Sequence, residues 1–336
     1  AILMCLVLAA SATAYAAPGM TYRDHLVYSH TSGNITVHAT SPIEAEDAMR
    51  LFHSEFDRVR SEILHEDELK LTLPIKVFIW DDEILYHTKV EVAPDHGGAC
   101  SFQVKTRKTK HHEIHLCPSA LADQSYDEAV LNMLPHEICH ILQYEQFQRD
   151  KLVAAKPKSK PRAKPVTATY PLAVAEGLAV LAEQSDQAMR IRLLGKTLRQ
   201  TKGELATNLL QVTHYHQVSD MTQFYAEAYS FSEFLRSRMS EMQFTSFLEL
   251  LRSGKTVPAA FGTTLGYKTT RAASKALNYH WRQHALLQAK LLAELEKRKA
   301  SDAAKTDKDK KNEKATPLPP TQPQNAPLRR ALAKSA

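Results

Sequence analysis

Residues 131–148 read Leu-Asn-Met-Leu-Pro-His-Glu-Ile-Cys-His-Ile-Leu-Gln-Tyr-Glu-Gln-Phe-Gln. Leu131, Leu134, Ile138, Ile141 and Leu142 recur at helical spacing, which predicts an amphipathic helix drawn over 126–148. Within it, His136-Glu137-Ile138-Cys139-His140 has the form H-E-x-x-H. Residues four apart on a helix lie about 40° apart around its axis, so His136 and His140 project from one face. Their imidazoles can meet a single ion at about 2.0–2.1 Å, the zinc–nitrogen distance. Glu137, about 100° further round, can reach a water at that ion without binding the ion, the position a general base requires.

A catalytic zinc needs a third protein ligand and an open position. The metzincin route would place Gly at position 143 and His at 146, but Gln143 and Gln146 stand there. A carboxylate on a following helix is the other solution. Pro171 opens a predicted helix, 171–195, that begins Leu-Ala-Val-Ala-Glu-Gly-Leu-Ala-Val-Leu-Ala-Glu. Glu176 sits in this apolar run beside Gly177, whose missing side chain allows close helix approach. A charge buried there is costly unless paired or metal-bound. Glu183, two turns on, is expected on the same face, able to orient a ligand histidine from behind.

Outward from these helices the patterning changes. Asn34–Thr40, Pro74–Trp80, Ser101–Val104 and Glu113–Leu116 read as strands, and a helix beginning at Pro42 carries Ala48, Leu51, Phe52, Phe56, Val59 and Ile63 at a 3.6-residue period. Further helices are expected at 219–239, 241–253 and 270–298. Strands with one helix followed by many helices predict an α+β fold: a mixed β-sheet front lobe (18–122), then a helical back lobe (123–296), in one domain over 18–296.

The chain has 336 residues and a formal net charge of +6, unevenly placed. Residues 151–165 carry six Lys/Arg and no acid, and 297–336 carry a net +7. Together these segments hold +13 of a total of +6, so the remaining body is acidic at −7. A basic groove for nucleic acid on the body is therefore not expected. Both segments are Lys-, Pro- and Ala-rich, so 151–168 reads as a flexible basic insert and 297–336 as a disordered tail. Such a tail could make weak contact with anionic membrane or envelope polymers. Ala1–Ala17 is almost entirely apolar, and Ala14-Tyr15-Ala16 offers the small residues a signal-peptide cleavage site needs. The expectation is export to a periplasmic or extracellular location, as a monomer. Export would make a disulfide possible, and Cys100 with Cys117, flanking two β-like runs, is the pairing expected from a hairpin.

Other histidines draw notice. On a strand, His111 and His115 share a face while His112 points away, so the three should not converge on a metal. His214 and His216 are expected at the surface, and Cys139 as a packed neutral thiol.

PHEICHILQY followed by AEGLAVLAE resembles the gluzincins, zinc metallopeptidases with an HExxH helix and a glutamate on the next helix. Gln223–Phe231 (QFYAEAYSF) looks like that family's tyrosine segment, and FLELLRSGKTVPAAFGTTLGY resembles the end of small exported peptidase MA-like domains. The resemblance covers about residues 70–270. It implies a zincin-like fold, with Zn2+ held by His136, His140 and Glu176 and with Glu137 as general base. It also implies that a tyrosine stabilises the oxyanion, with Tyr225 the better match and Tyr229 the second. The implied substrate is a peptide or protein, which the strand Glu113–Leu116 could pair with as an exposed edge. Two other readings stand beside this one: a zincin-like protein that binds peptides or envelope material without turnover, and a structural envelope protein acting through its Lys-rich tail.

Overall fold

The computed structural model describes residues 5–8, 25–90, 97–105, 109–121, 125–154, 170–185, 187–200 and 205–315. Its first part alternates strands and helices: β1 (Cys5–Leu8), β2 (Tyr28–Ser32), β3 (Ile35–Ala39), α1 (Pro42–Arg58), β4 (Ile75–Ile79), α2 (Glu83–Val90), β5 (Gly98–Lys105) and β6 (Lys110–Leu116). Helices follow: α3 (Tyr126–Ala154), α4 (Leu172–Ala182), α5 (Gln187–Gln200), α6 (Leu205–Gln211), α7 (Met221–Arg238), α8 (Glu241–Arg252), α9 (Val257–Leu265) and α10 (Thr270–Ala315). This is the α+β architecture that the sequence predicts. The chain divides into two units, one through Lys290 that contains the sheet and a second from Leu291 that is helical to Ala315.

The strands form one mixed sheet in the order β1-β5-β6-β4-β3-β2. β3, β4 and β6 run parallel, β5 is antiparallel to β6, and β2 is antiparallel to β3. Register aligns Val37, Val77, Ile114 and Cys100 across the sheet. Because alternate residues face opposite sides, these four share the face that forms the main core with α1 and α3. α1 starts where Ser41 accepts a hydrogen bond from the backbone N–H of Glu44 at 3.2 Å and Pro42 occupies the first turn, a favourable start because the proline lacks an N–H that would go unpaired there. Its Ala45, Ala48, Met49 and Phe52 enter the core. The opposite face of the sheet packs Phe78, Trp80 and Ala99 against Tyr86 of α2, with Leu26 and Cys117.

Several expectations are corrected here. Cys100 and Cys117 are free thiols. Cys100 lies opposite Ile114 on the main core face, whereas Cys117 belongs to the cluster on the other face, so their Cβ atoms diverge and no bridge can close. The segment Glu113–Leu116 is not an edge: β6 lies between β4 and β5, and its backbone groups are taken on both sides. The helix expected over 171–195 is two helices, because the backbone turns extended at Glu183. The tail expected to be disordered from 297 is helical through Ala315. Its Ala, Lys, Glu and Arg are strong helix formers, and this propensity outweighs the charge. The insert 151–168 begins as the last turn of α3, and its residues 155–168 lie outside the described residues, as do 316–336 of the tail. Of the expected signal peptide, only Cys5–Leu8 is described, as β1, parallel to β5.

α4 is buried on every side from Ala173 to Ala182, the signature of a helix inside a core. It packs closely on α7 at Gly177, where a Cβ would overlap Ser232 Oγ and the carbonyl oxygen of Ala228. Backbone cannot yield as a side chain can. Gly177→Ala is therefore expected to destabilise the fold by about 1–3 kcal/mol through overpacking, read as a lowered urea midpoint; an unchanged midpoint would contradict this packing.

Candidate metal centre

α3 supplies His136, Glu137 and His140, all buried, and the middle of α4 supplies Glu176, fully buried. His136 Nε2 and His140 Nε2 lie 3.1 Å apart. Glu176 Oε2 is 3.5 Å from His136 Nε2, and Glu176 Oε1 is 3.4 Å from His140 Nε2. Four ligands placed tetrahedrally at about 2.0–2.1 Å from one ion stand about 3.3–3.4 Å from each other. The observed separations lie near that value, with His136 facing Oε2 of Glu176 and His140 facing Oε1. Among the described residues this is the group of three whose ligand atoms converge closely enough to hold a metal ion.

The surroundings fix which atoms face the centre. His136 Nδ1 donates to Glu183 Oε1 at 2.7 Å. A carboxylate can only accept, so the Nδ1 proton is committed outward and Nε2 is turned inward. Glu183 in turn pairs with buried Arg190 of α5. Glu183 sits one residue beyond the end of α4, in extended backbone, and this departure from helix brings its carboxylate behind the histidine. On the inner side, Glu176 Oε2 is buried without a hydrogen-bond partner. An orphaned carboxylate oxygen beside the His136 imidazole, with His140 beside the other oxygen, suits a cation, and the residues therefore fit a divalent metal.

The electrostatics agree. Burial opposes a charge on His136, but Glu176 and Glu183 outweigh it and raise the imidazole pKa to about 10. Burial pushes Glu176 upward, and His140 and His136 override it to bring the carboxyl down to about 2. The site thus demands positive charge, supplied by a proton when no ion is bound.

Glu137 lies on the sheet side of this centre, at β5. A Cβ on Gly98 would come within 3.0 Å of Glu137 Oε1, so a side chain there would press on the carboxylate. Burial, and then the neighbouring Glu137, push the Cys100 thiol up. Burial likewise raises the Cys139 thiol to about 12. Gln143 Nε2 donates to Cys139 Sγ at 3.3 Å and to the carbonyl of Ala175 at 3.0 Å. Cys139 is a neutral packed thiol outside the ligand set.

Three tyrosines take different places. Tyr225 is buried on α7 and sets its ring against His136, with centroids 6.3 Å apart and planes at 76°. Tyr229 is also buried, and burial raises its hydroxyl to about 12. The hydroxyl of Tyr215 donates to Glu176 Oε1. Tyr215 lies on a single 3-10 turn, Tyr215–Gln217. The segment around it, Thr-His-Tyr-His-Gln, carries no pattern that would single out its tyrosine. Its neighbours His214 and His216 are exposed and stacked on each other at 5.3 Å.

The other histidines stay apart as expected. Glu113 bridges His111 and His115 at 2.7 and 3.2 Å on one sheet face, and His112 pairs with Glu145 at 2.8 Å on the other. No protein-family model and no curated protein sequence matches the chain, so the functional argument rests on this site's own chemistry.

A metal needs the imidazoles deprotonated. Since His136 holds its proton to about pH 10, apparent zinc affinity should rise with pH, by up to about tenfold per unit between about pH 6 and 8. Competition with a chromophoric chelator measures this, and a flat profile would contradict the proton–metal exchange.

Proposed function

We propose that the chain is an exported zinc-dependent metallopeptidase, with His136, His140 and Glu176 as metal ligands and Glu137 as general base. The observation that carries this reading is the convergence of two imidazoles and a buried carboxylate at tetrahedral ligand spacing, with a second buried carboxylate one residue after the first histidine. Zinc suits a donor set of two nitrogens and one oxygen. Three protein ligands leave the fourth position open, the arrangement of catalytic sites. When bound, the ion supplies a Lewis acid that polarises a peptide carbonyl and acidifies water enough for attack near neutral pH.

The chain's own residues do the remaining work. Glu137 accepts the proton of the attacking water and passes it to the departing amine, and Gly98 leaves its carboxylate room on the sheet side. Glu183, held by Arg190, keeps His136 in the tautomer and orientation that present Nε2. Tyr225 walls the other side of His136 with an aromatic edge. The sheet strand beside Glu137 is β5, and its outer backbone edge, which β1 adjoins, is where an extended peptide would pair. If residues 1–17 are removed as a leader, that edge becomes available. The apolar, alanine-rich start of the chain supports export. No helix among the described residues is long and apolar enough to cross a membrane.

Glu137→Gln tests the reading. The variant should bind zinc as the wild type does and lose about 10²–10⁴-fold in hydrolysis of an unfolded protein such as casein. A chelator should abolish wild-type turnover, and added zinc should restore it. Turnover that is insensitive both to the chelator and to Glu137→Gln would sink the peptidase assignment.

A further inference from the structure

The geometry points to Tyr215 as the positioning residue that decides how Glu176 binds a metal: it occupies Oε1 and leaves Oε2 to the ion. This inference rests on the metal-site part of the reading above and does not depend on peptidase activity.

The two oxygens of Glu176 have different surroundings. Oε1 lies 3.4 Å from His140 Nε2 and accepts the phenolic proton of Tyr215. Oε2 is buried without a hydrogen-bond partner and lies 3.5 Å from His136 Nε2. A carboxylate oxygen that accepts a hydrogen bond is a poorer donor to a metal, because electron density is drawn toward the proton. An oxygen with no donor in a dry site keeps its full attraction for a cation. The consequence is binding through one oxygen, which holds the protein's contribution at three ligand atoms. Were both oxygens to bind, the protein would fill the fourth position that catalytic sites keep open.

Tyr215 can impose this choice because its own backbone is held. Gln217 Oε1 accepts the backbone N–H of Thr213 at 2.7 Å and that of His214 at 3.1 Å, and also the Thr213 hydroxyl at 3.1 Å. One side chain thus ties the turn together around the tyrosine. The ring is half-buried, unlike the three ligands. Tyr215 therefore links the metal's carboxylate ligand to a surface turn.

The test uses the full chain with cobalt(II), a spectroscopic substitute for zinc, and compares wild type with Tyr215→Phe and Gln217→Ala. Tyr215→Phe removes only the hydroxyl. It should weaken metal affinity about 10–100-fold, the usual effect of losing a partner behind a ligand. It should also reduce the visible cobalt absorption, because a second carboxylate oxygen moves the ion from four-coordinate toward five-coordinate geometry, in which these bands are weaker. Gln217→Ala, which leaves the phenol intact but loosens its turn, should shift both readouts in the same direction by less. Wild-type cobalt binding with unchanged affinity and spectrum in Tyr215→Phe would overturn the inference and leave the metal site standing. Absence of cobalt binding by the wild type would overturn both. If Tyr215→Phe proves unfolded by circular dichroism, Gln217→Ala decides alone, and an unchanged spectrum there counts against the role.

Discussion

A carboxylate buried in the middle of an apolar helix must be met by positive charge or by hydrogen-bond donors, and the protein around Glu176 is arranged to meet it. Ten consecutive residues of α4 are buried, so Glu176 is shielded from bulk water. Tyr215 donates to Oε1, which also faces His140, and His136 faces Oε2. Desolvation alone would keep the glutamate neutral. The histidines reverse that, and His136 in turn holds a positive charge against its own desolvation. None of the three groups is in a comfortable state alone. The combination is stable with a proton shared among them or with a divalent cation in its place, and the 3.1–3.5 Å spacing of the inward atoms suits the cation.

Bringing these groups together requires elements to approach more closely than ordinary side chains permit. Gly177, next to Glu176, lets α7 press its Ala228 carbonyl and Ser232 against α4. Gly98 lets β5 pass beside Glu137. One glycine governs the helical side of the site and the other governs the sheet side. The orienting chain behind His136 has a similar logic. Glu183 reaches the imidazole because α4 stops one residue earlier, and Arg190 from the next helix neutralises it.

The outer parts of the chain follow different rules. Charge density suggested disorder after residue 296, yet the high helix propensity of Ala, Lys and Glu carries α10 to Ala315. The spacing of Cys100 and Cys117 suggested a bridged hairpin, yet strand pairing alone does not say which face a residue takes, and the register sends the two thiols to opposite sides. The same register places β6 inside the sheet and gives the strand next to Glu137 to β5.

What the sequence determined by itself was local. The α+β order follows from the switch in hydrophobic period along the chain, and the shared face of His136 and His140 follows from a four-residue step on a helix. A glutamate standing in an apolar run beside a glycine announced that something must meet its charge. What only the tertiary structure decided was every relation between elements: that Glu176 reaches those histidines, that Glu183 stands behind His136, and that the hydroxyl on the carboxylate comes from Tyr215 while Tyr225 offers its ring. The reason is that periodicity encodes which way a side chain points within its own helix or strand. The distance between two helices depends instead on how the whole core packs, and a tyrosine on a single turn has no period to reveal where it points.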